Sequence, residues 1–166
     1  MDFAKLSERL MGMDDATWER HANPWSGWSR ITILPLLCLA IWSRDWIGYW
    51  FVLAVVIVLI WTWLNPRLFR PPTSHQAWMT RAVFGERLLL AGESFAATGH
   101  HRSVARLLAY GSSVGCLFIV WALWTSSPGL LLAGLFLAMG AKLWFLDRMV
   151  WLFEENRSFR PSNGGI

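Results

Sequence analysis

The chain has 166 residues, 55% of them apolar and only 16% charged, with thirteen tryptophans and a net charge of +4. Soluble domains usually carry about 25% charged residues, so an ordinary water-soluble globule and a disordered chain are both excluded. An isoelectric point near 9.7 would suggest nucleic acid as the partner of a soluble protein, but the cations here are distributed as in a membrane protein, and no nucleic-acid partner is expected.

Residues 1–24 read as a helical segment on the cytoplasmic side. Phe3, Leu6 and Leu10 share one face of a short amphipathic helix that Gly12 can end. The stretch lacks the apolar run and cleavage site of a signal peptide. Asn23-Pro24 then starts a helix, Asn as cap and Pro in the first turn. The first apolar run, 31–42, reaches 18 residues only when extended back to Trp25. It carries Pro35, and Arg30 must snorkel toward the head groups. The runs 47–64, 107–124 and 129–146 each have 18 residues, roughly 27 Å of helix against a hydrocarbon core of about 30 Å.

Between the second and third runs, Asn65-Pro66 marks a helix end and Pro71-Pro72 an extended stretch. Thr73 with Gln76 fits a capping box that opens a helix near residue 74, lying on or dipping into the inner leaflet. Glu86 and Glu93 lie two turns apart on it, and Gly85 with Gly92 makes a small-residue stripe. Gly111 and Gly115 form a small-xxx-small pair in the third span. Gly129, Ala133, Gly134, Ala138 and Ala141 supply small side chains in the fourth, which predicts a tight hairpin.

The expected architecture is therefore an all-α integral membrane protein, one domain over residues 1–166. It has four transmembrane helices at about 25–43, 47–64, 104–125 and 129–147. An amphipathic cytoplasmic helix lies within the connection 65–103, and 156–166 is a flexible tail. Fourteen of the fifteen cations fall on one side of these spans, with Arg44 alone on the other. The positive-inside rule then places both termini in the cytoplasm and the chain in the inner membrane. Trp42, Trp46, Trp50, Trp121 and Trp124 would ring the outer boundary, and Trp25, Trp28, Trp61, Trp63 and Trp144 the inner one.

The fourth span runs into AKLWFLDRMVWLFEENR, where Trp144, Asp147, Arg148, Trp151, Glu154 and Glu155 share one helical face and Lys142 lies inside the apolar run. Ionisable groups at such depth are candidates for function. The structural alternative is that Asp147 and Arg148 pair with Arg87 and Glu86 to hold helices together. His21, Asn23 and Arg30 form a second polar group, beside Trp18, Trp25 and Trp28. No histidine falls inside a span, which argues against haem. Cys38 and Cys116 read as free, buried thiols. HExxH, CxxC, Walker, GxGxxG and GxSxG patterns are absent, so no cofactor or metal is expected. A metal held by His21, His75 and a carboxylate is the minor alternative.

The segments HANPWSGWSR at 21–30, NPRLFRPP at 65–72, FGERL at 84–88 and DRMVWLFEE at 147–155 together resemble a family of small prokaryotic four-span membrane proteins catalogued only as a domain of unknown function. The resemblance implies that these four polar segments belong together and brings no activity with it.

Two functions fit these residues. In the first, a cytoplasmic-leaflet site binds a lipid or isoprenoid-type amphiphile and could modify it. Arg30, Arg67 and Arg87 would grip a phosphate or carboxylate head. His21, Asn23, Asn65, Arg148 and Trp151 would complete the site, and Glu86 or Asp147 would act as general acid or base. In the second, the chain is a non-catalytic accessory subunit of a larger membrane complex, or pairs with its own copies through small-residue faces.

Overall fold

The computed structural model describes residues 15–91 and 98–159, and among them all regular structure is helical. In chain order the helices are α1 (Asp15–His21), α2 (Pro24–Ile31), α3 (Ile33–Trp42), α4 (Arg44–Ile47), a 3-10 turn at Gly48–Trp50, α5 (Phe51–Leu68), α6 (Trp78–Ala91), α7 (Thr98–Thr125) and α8 (Pro128–Phe159). The helix expected around Phe3, Leu6, Leu10 and Gly12, and the partners Gly92 and Glu93, lie outside the described residues.

Three stretches are long and apolar enough to cross a membrane: Pro24–Leu68, Gly99–Thr125 and Pro128–Arg157. The first has 45 residues and would span roughly 68 Å if straight, about twice a bilayer core. Instead it folds back on itself. Asn23 starts α2 as a cap, its Oδ1 accepting from the Trp25 and Ser26 amides at 2.9 and 3.4 Å, with Pro24 in the first turn. α2 and α3 form one arm, α4 and the 3-10 turn make the corner, and α5 returns beside α3. Gly48 takes φ 54° at that corner, a left-handed conformation that glycine adopts without a Cβ penalty.

α7 and α8 form the second hairpin, closed by a turn at Ser126 and Ser127. Its contact surface is built from small residues. A Cβ on Gly115 would lie 2.5 Å from the Ala138 backbone nitrogen, and one on Gly134 would lie 2.9 Å from the Gly115 carbonyl. Gly111 is less critical, since a Cβ there would meet Ala141 at an ordinary 3.7 Å. The two hairpins touch near their turns, where Cys38 packs with Ile119, Leu123 and Ala138, and Arg44 donates to the Leu123 carbonyl.

Toward the other end, α6 is wedged between the hairpins. On one side Met79 lies against Gly27, the Thr80 hydroxyl donates to the Ala22 carbonyl at 2.8 Å, and Val83 packs on Trp18. On the opposite side Ala82 packs with Leu146, and Gly85 meets the backbone of Met149. The helix is thus held by protein on two faces, where a helix lying on a leaflet would bury one.

Several boundaries differ from the sequence expectation, each for a local reason. α6 begins at Trp78, not near 74, because the Ser74 hydroxyl accepts from the Gln76 amide at 3.2 Å in a local turn in place of the Thr73–Gln76 box. α5 begins at Phe51, the residues from 47 to 50 being used in the corner. It also continues through Asn65-Pro66 to Leu68, giving up the one backbone hydrogen bond that Pro66 cannot make. α8 runs on to Phe159, past residue 156 where a tail was expected.

Aromatic residues stand exposed at both ends of the bundle. Trp46, Tyr49, Trp50, Trp121 and Trp124 cluster near the turns, and Trp25, Trp28, Trp63, Trp144 and Trp151 toward the opposite end. Trp42, also near the turns, is half-buried against the Cys38 cluster.

Candidate functional site

Ser26, Ser29 and Arg30 fall at i, i+3 and i+4 on α2 and so share a face. α5 returns Asn65 to that face. Asn65 is fully buried: its Oδ1 accepts from the Ser26 hydroxyl at 2.8 Å, and its Nδ2 donates to the Ser29 hydroxyl at 2.7 Å. Arg30 extends this chain, donating to the Ser26 hydroxyl at 3.0 Å, to His21 Nδ1 at 2.5 Å and to the His21 carbonyl at 3.1 Å. The His21 Nδ1 therefore carries a lone pair. Burial, with the Arg30 charge and then Lys142 adding to it, pulls the His21 pKa down to about 3, so the imidazole is neutral near pH 7.

Among the described residues, the hydrogen-bond acceptors that Arg30 meets are uncharged. The acid that acts on its guanidinium is Glu86 of α6, whose Oε1 accepts from the Lys142 ammonium at 3.2 Å. Lys142 in turn lies over the Phe145 ring, 4.6 Å from its centroid. Two cations, Arg30 and Lys142, thus share one carboxylate.

The Glu86–Lys142 pair borders a groove of about 630 Å³ between α6, α7 and α8. Its walls include Leu90, Leu108, Ala109, Cys116, Leu117 and Phe145. Ser112 and Ser113 also line it, but their hydroxyls donate to the Ala138 and Ala109 carbonyls, so the wall is hydrocarbon apart from the charged pair. Leu117 is 66% exposed, and the groove opens sideways past it.

The expected site residues divide between this cluster and other tasks. His21, Arg30, Asn65 and Glu86 come together. Asn23 caps α2 and donates to the Arg70 carbonyl at 2.9 Å. Arg67 folds back on its own helix, donating to the Trp63 carbonyl at 2.6 Å and stacking 4.1 Å over the Trp63 ring. Asp147 accepts from the Trp78 indole at 3.4 Å. Glu86 pairs with Lys142 and not with Arg148, whose Nε is buried without a hydrogen-bond partner among the described residues. Arg87 is half-buried on α6, and Trp151 is 57% exposed, away from the groove.

Ser26, Ser29 and Lys142 belong to this cluster and were not among the expected site residues; the serines gave no signal in the sequence beyond their helical spacing from Arg30, whereas Lys142 did. Its signal was a lone lysine within an apolar run. The Arg81–Glu154 ion pair at 2.8 Å and a His101–Glu155 hydrogen bond at 3.1 Å tie α8 to α6 and α7. His100 and His101 point to different faces, only the latter being buried. His75 packs on Phe84, 5.0 Å between ring centroids, and no cluster of three potential metal ligands occurs among the described residues.

Fold and groove together define an all-helical protein whose helices are long and apolar enough to cross a membrane, with a charged pair bordering an apolar lateral groove. The chain belongs to the Family of unknown function (DUF6653), which matches residues 4–164. No curated protein and no solved structure matches it.

Proposed function

We propose that the protein crosses the inner membrane four times, with both termini and the connection 65–103 in the cytoplasm, and that its groove binds a lipid or isoprenoid-type amphiphile. The observation that carries this reading is the groove between α6, α7 and α8, hydrocarbon along α7 and bordered by Glu86 and Lys142. Apolar walls with a few convergent polar groups are the usual anatomy of a small-molecule site. The fold-back of Pro24–Leu68 and the crowding of cations at the end away from the turns support two hairpins entering from the cytoplasm. Glu86 is the acid that would face the ligand's head, and Asp147 supports the indole of Trp78.

Native mass spectrometry of protein purified in mild detergent tests this. The wild type should retain an amphiphile, and Ser113→Trp, which fills the groove from an exposed wall position, should lose it while keeping its melting temperature. A wild type without a retained amphiphile, or one held equally by Ser113→Trp, would overturn the reading. Isolation instead with a stoichiometric protein partner would point to an accessory subunit.

A further inference from the structure

We infer that the ligand's head carries a single negative charge, taken by Lys142 with Arg30 behind it, and that Glu86 is the internal anion which that head displaces. This presupposes the amphiphile groove proposed above. Among the described residues, Glu86 is the one carboxylate that acts on both Arg30 and Lys142, and the direct partners of Arg30 there are neutral. Of the other acids on α8, Glu154 pairs with Arg81, Glu155 meets His101 and Asp147 accepts from Trp78, and none of the three is a partner of Arg30 or Lys142 among the described residues. His21 adds no charge near neutral pH.

The depth of the pair makes the imbalance matter. Lys142 lies 14 residues beyond Pro128, where α8 begins, roughly 21 Å along the helix and within the thickness of a hydrocarbon core. Uncompensated charge is costly at that depth, so a monoanionic phosphate or carboxylate would bring the local sum to zero. A zwitterionic head would import a further cation beside two others and leave the sum unchanged. Ala141 meets Gly111, which sets the ammonium at the level of Ser112. From there Cys116 and Leu117 continue the apolar wall toward the turn end, a path for the ligand's hydrocarbon tail.

The test is competition between phosphatidylglycerol and phosphatidylethanolamine of matched acyl chains, added to delipidated full-length protein and read by native mass spectrometry. The wild type should favour the monoanionic lipid by about tenfold, the worth of one charge-assisted contact. Lys142→Gln should erase that preference, and Glu86→Gln should strengthen retention of phosphatidylglycerol. Equal retention of the two lipids by the wild type, or weaker phosphatidylglycerol binding in Glu86→Gln, would overturn the anionic head while leaving the groove as an amphiphile site. Retention of neither lipid would overturn both. Thermal stabilisation by inorganic phosphate alone, lost in Lys142→Gln, would keep the anion and assign it to a free ion.

Discussion

Asn65 uses both ends of its amide to join α5 to α2 and is fully buried. Asn65→Leu should therefore leave the Ser26 and Ser29 hydroxyls short of a partner, lowering stability by about 2–3 kcal/mol in denaturant unfolding of the detergent-solubilised protein. His21 gives a pH signature whose sign can be stated. Its folded pKa, near 3, lies below the ordinary 6.5, so between those values the unfolded chain binds more protons than the folded one. Stability should rise with pH across that window and level off above it. His21→Gln, which keeps an acceptor for Arg30, should flatten the slope in melting temperatures measured from pH 4 to 8. The Asn23 cap was legible in the sequence because capping is local. The partner of Lys142 was not, because Glu86 lies 56 residues away and only packing of α6 on α8 brings them together.

Element boundaries follow the same division between local and distant causes. The apolar runs and the small residues of α7 and α8 were legible, since lipid-facing length and close approach leave direct marks on a sequence. The wedge position of α6 was not legible. Its weak amphipathic pattern suggested a surface helix, when the pattern is weak because two opposed faces are covered. Glycines separate the cases experimentally. A Cβ on Gly85 would fall 1.9 Å from the Met149 carbonyl oxygen, whereas one on Gly140 would meet nothing within 4 Å. Gly85→Ala should force α6 off α8 and lower the melting temperature. Gly140→Ala should leave it unchanged or raise stability by up to about 1 kcal/mol, the ordinary helical gain over glycine.

For the whole molecule, the helical class and the apolar length needed to cross a membrane were legible, because they depend on counting and not on packing. The four-crossing topology proposed above would put Ser127, in the α7–α8 turn, and Ser74, before α6, on opposite sides of the membrane. In a background with Cys38→Ala and Cys116→Ala, a membrane-impermeant maleimide should label Ser127→Cys in intact cells, and Ser74→Cys only after the membrane is opened. The wedge also sets an order for synthesis. When α6 leaves the ribosome, the surface formed by Trp18, Ala22 and Gly27 already exists, but the surface around Leu146 and Met149 is still to be translated, after all of α7. Until then, Ala82 and Gly85 must wait beside a half-built slot.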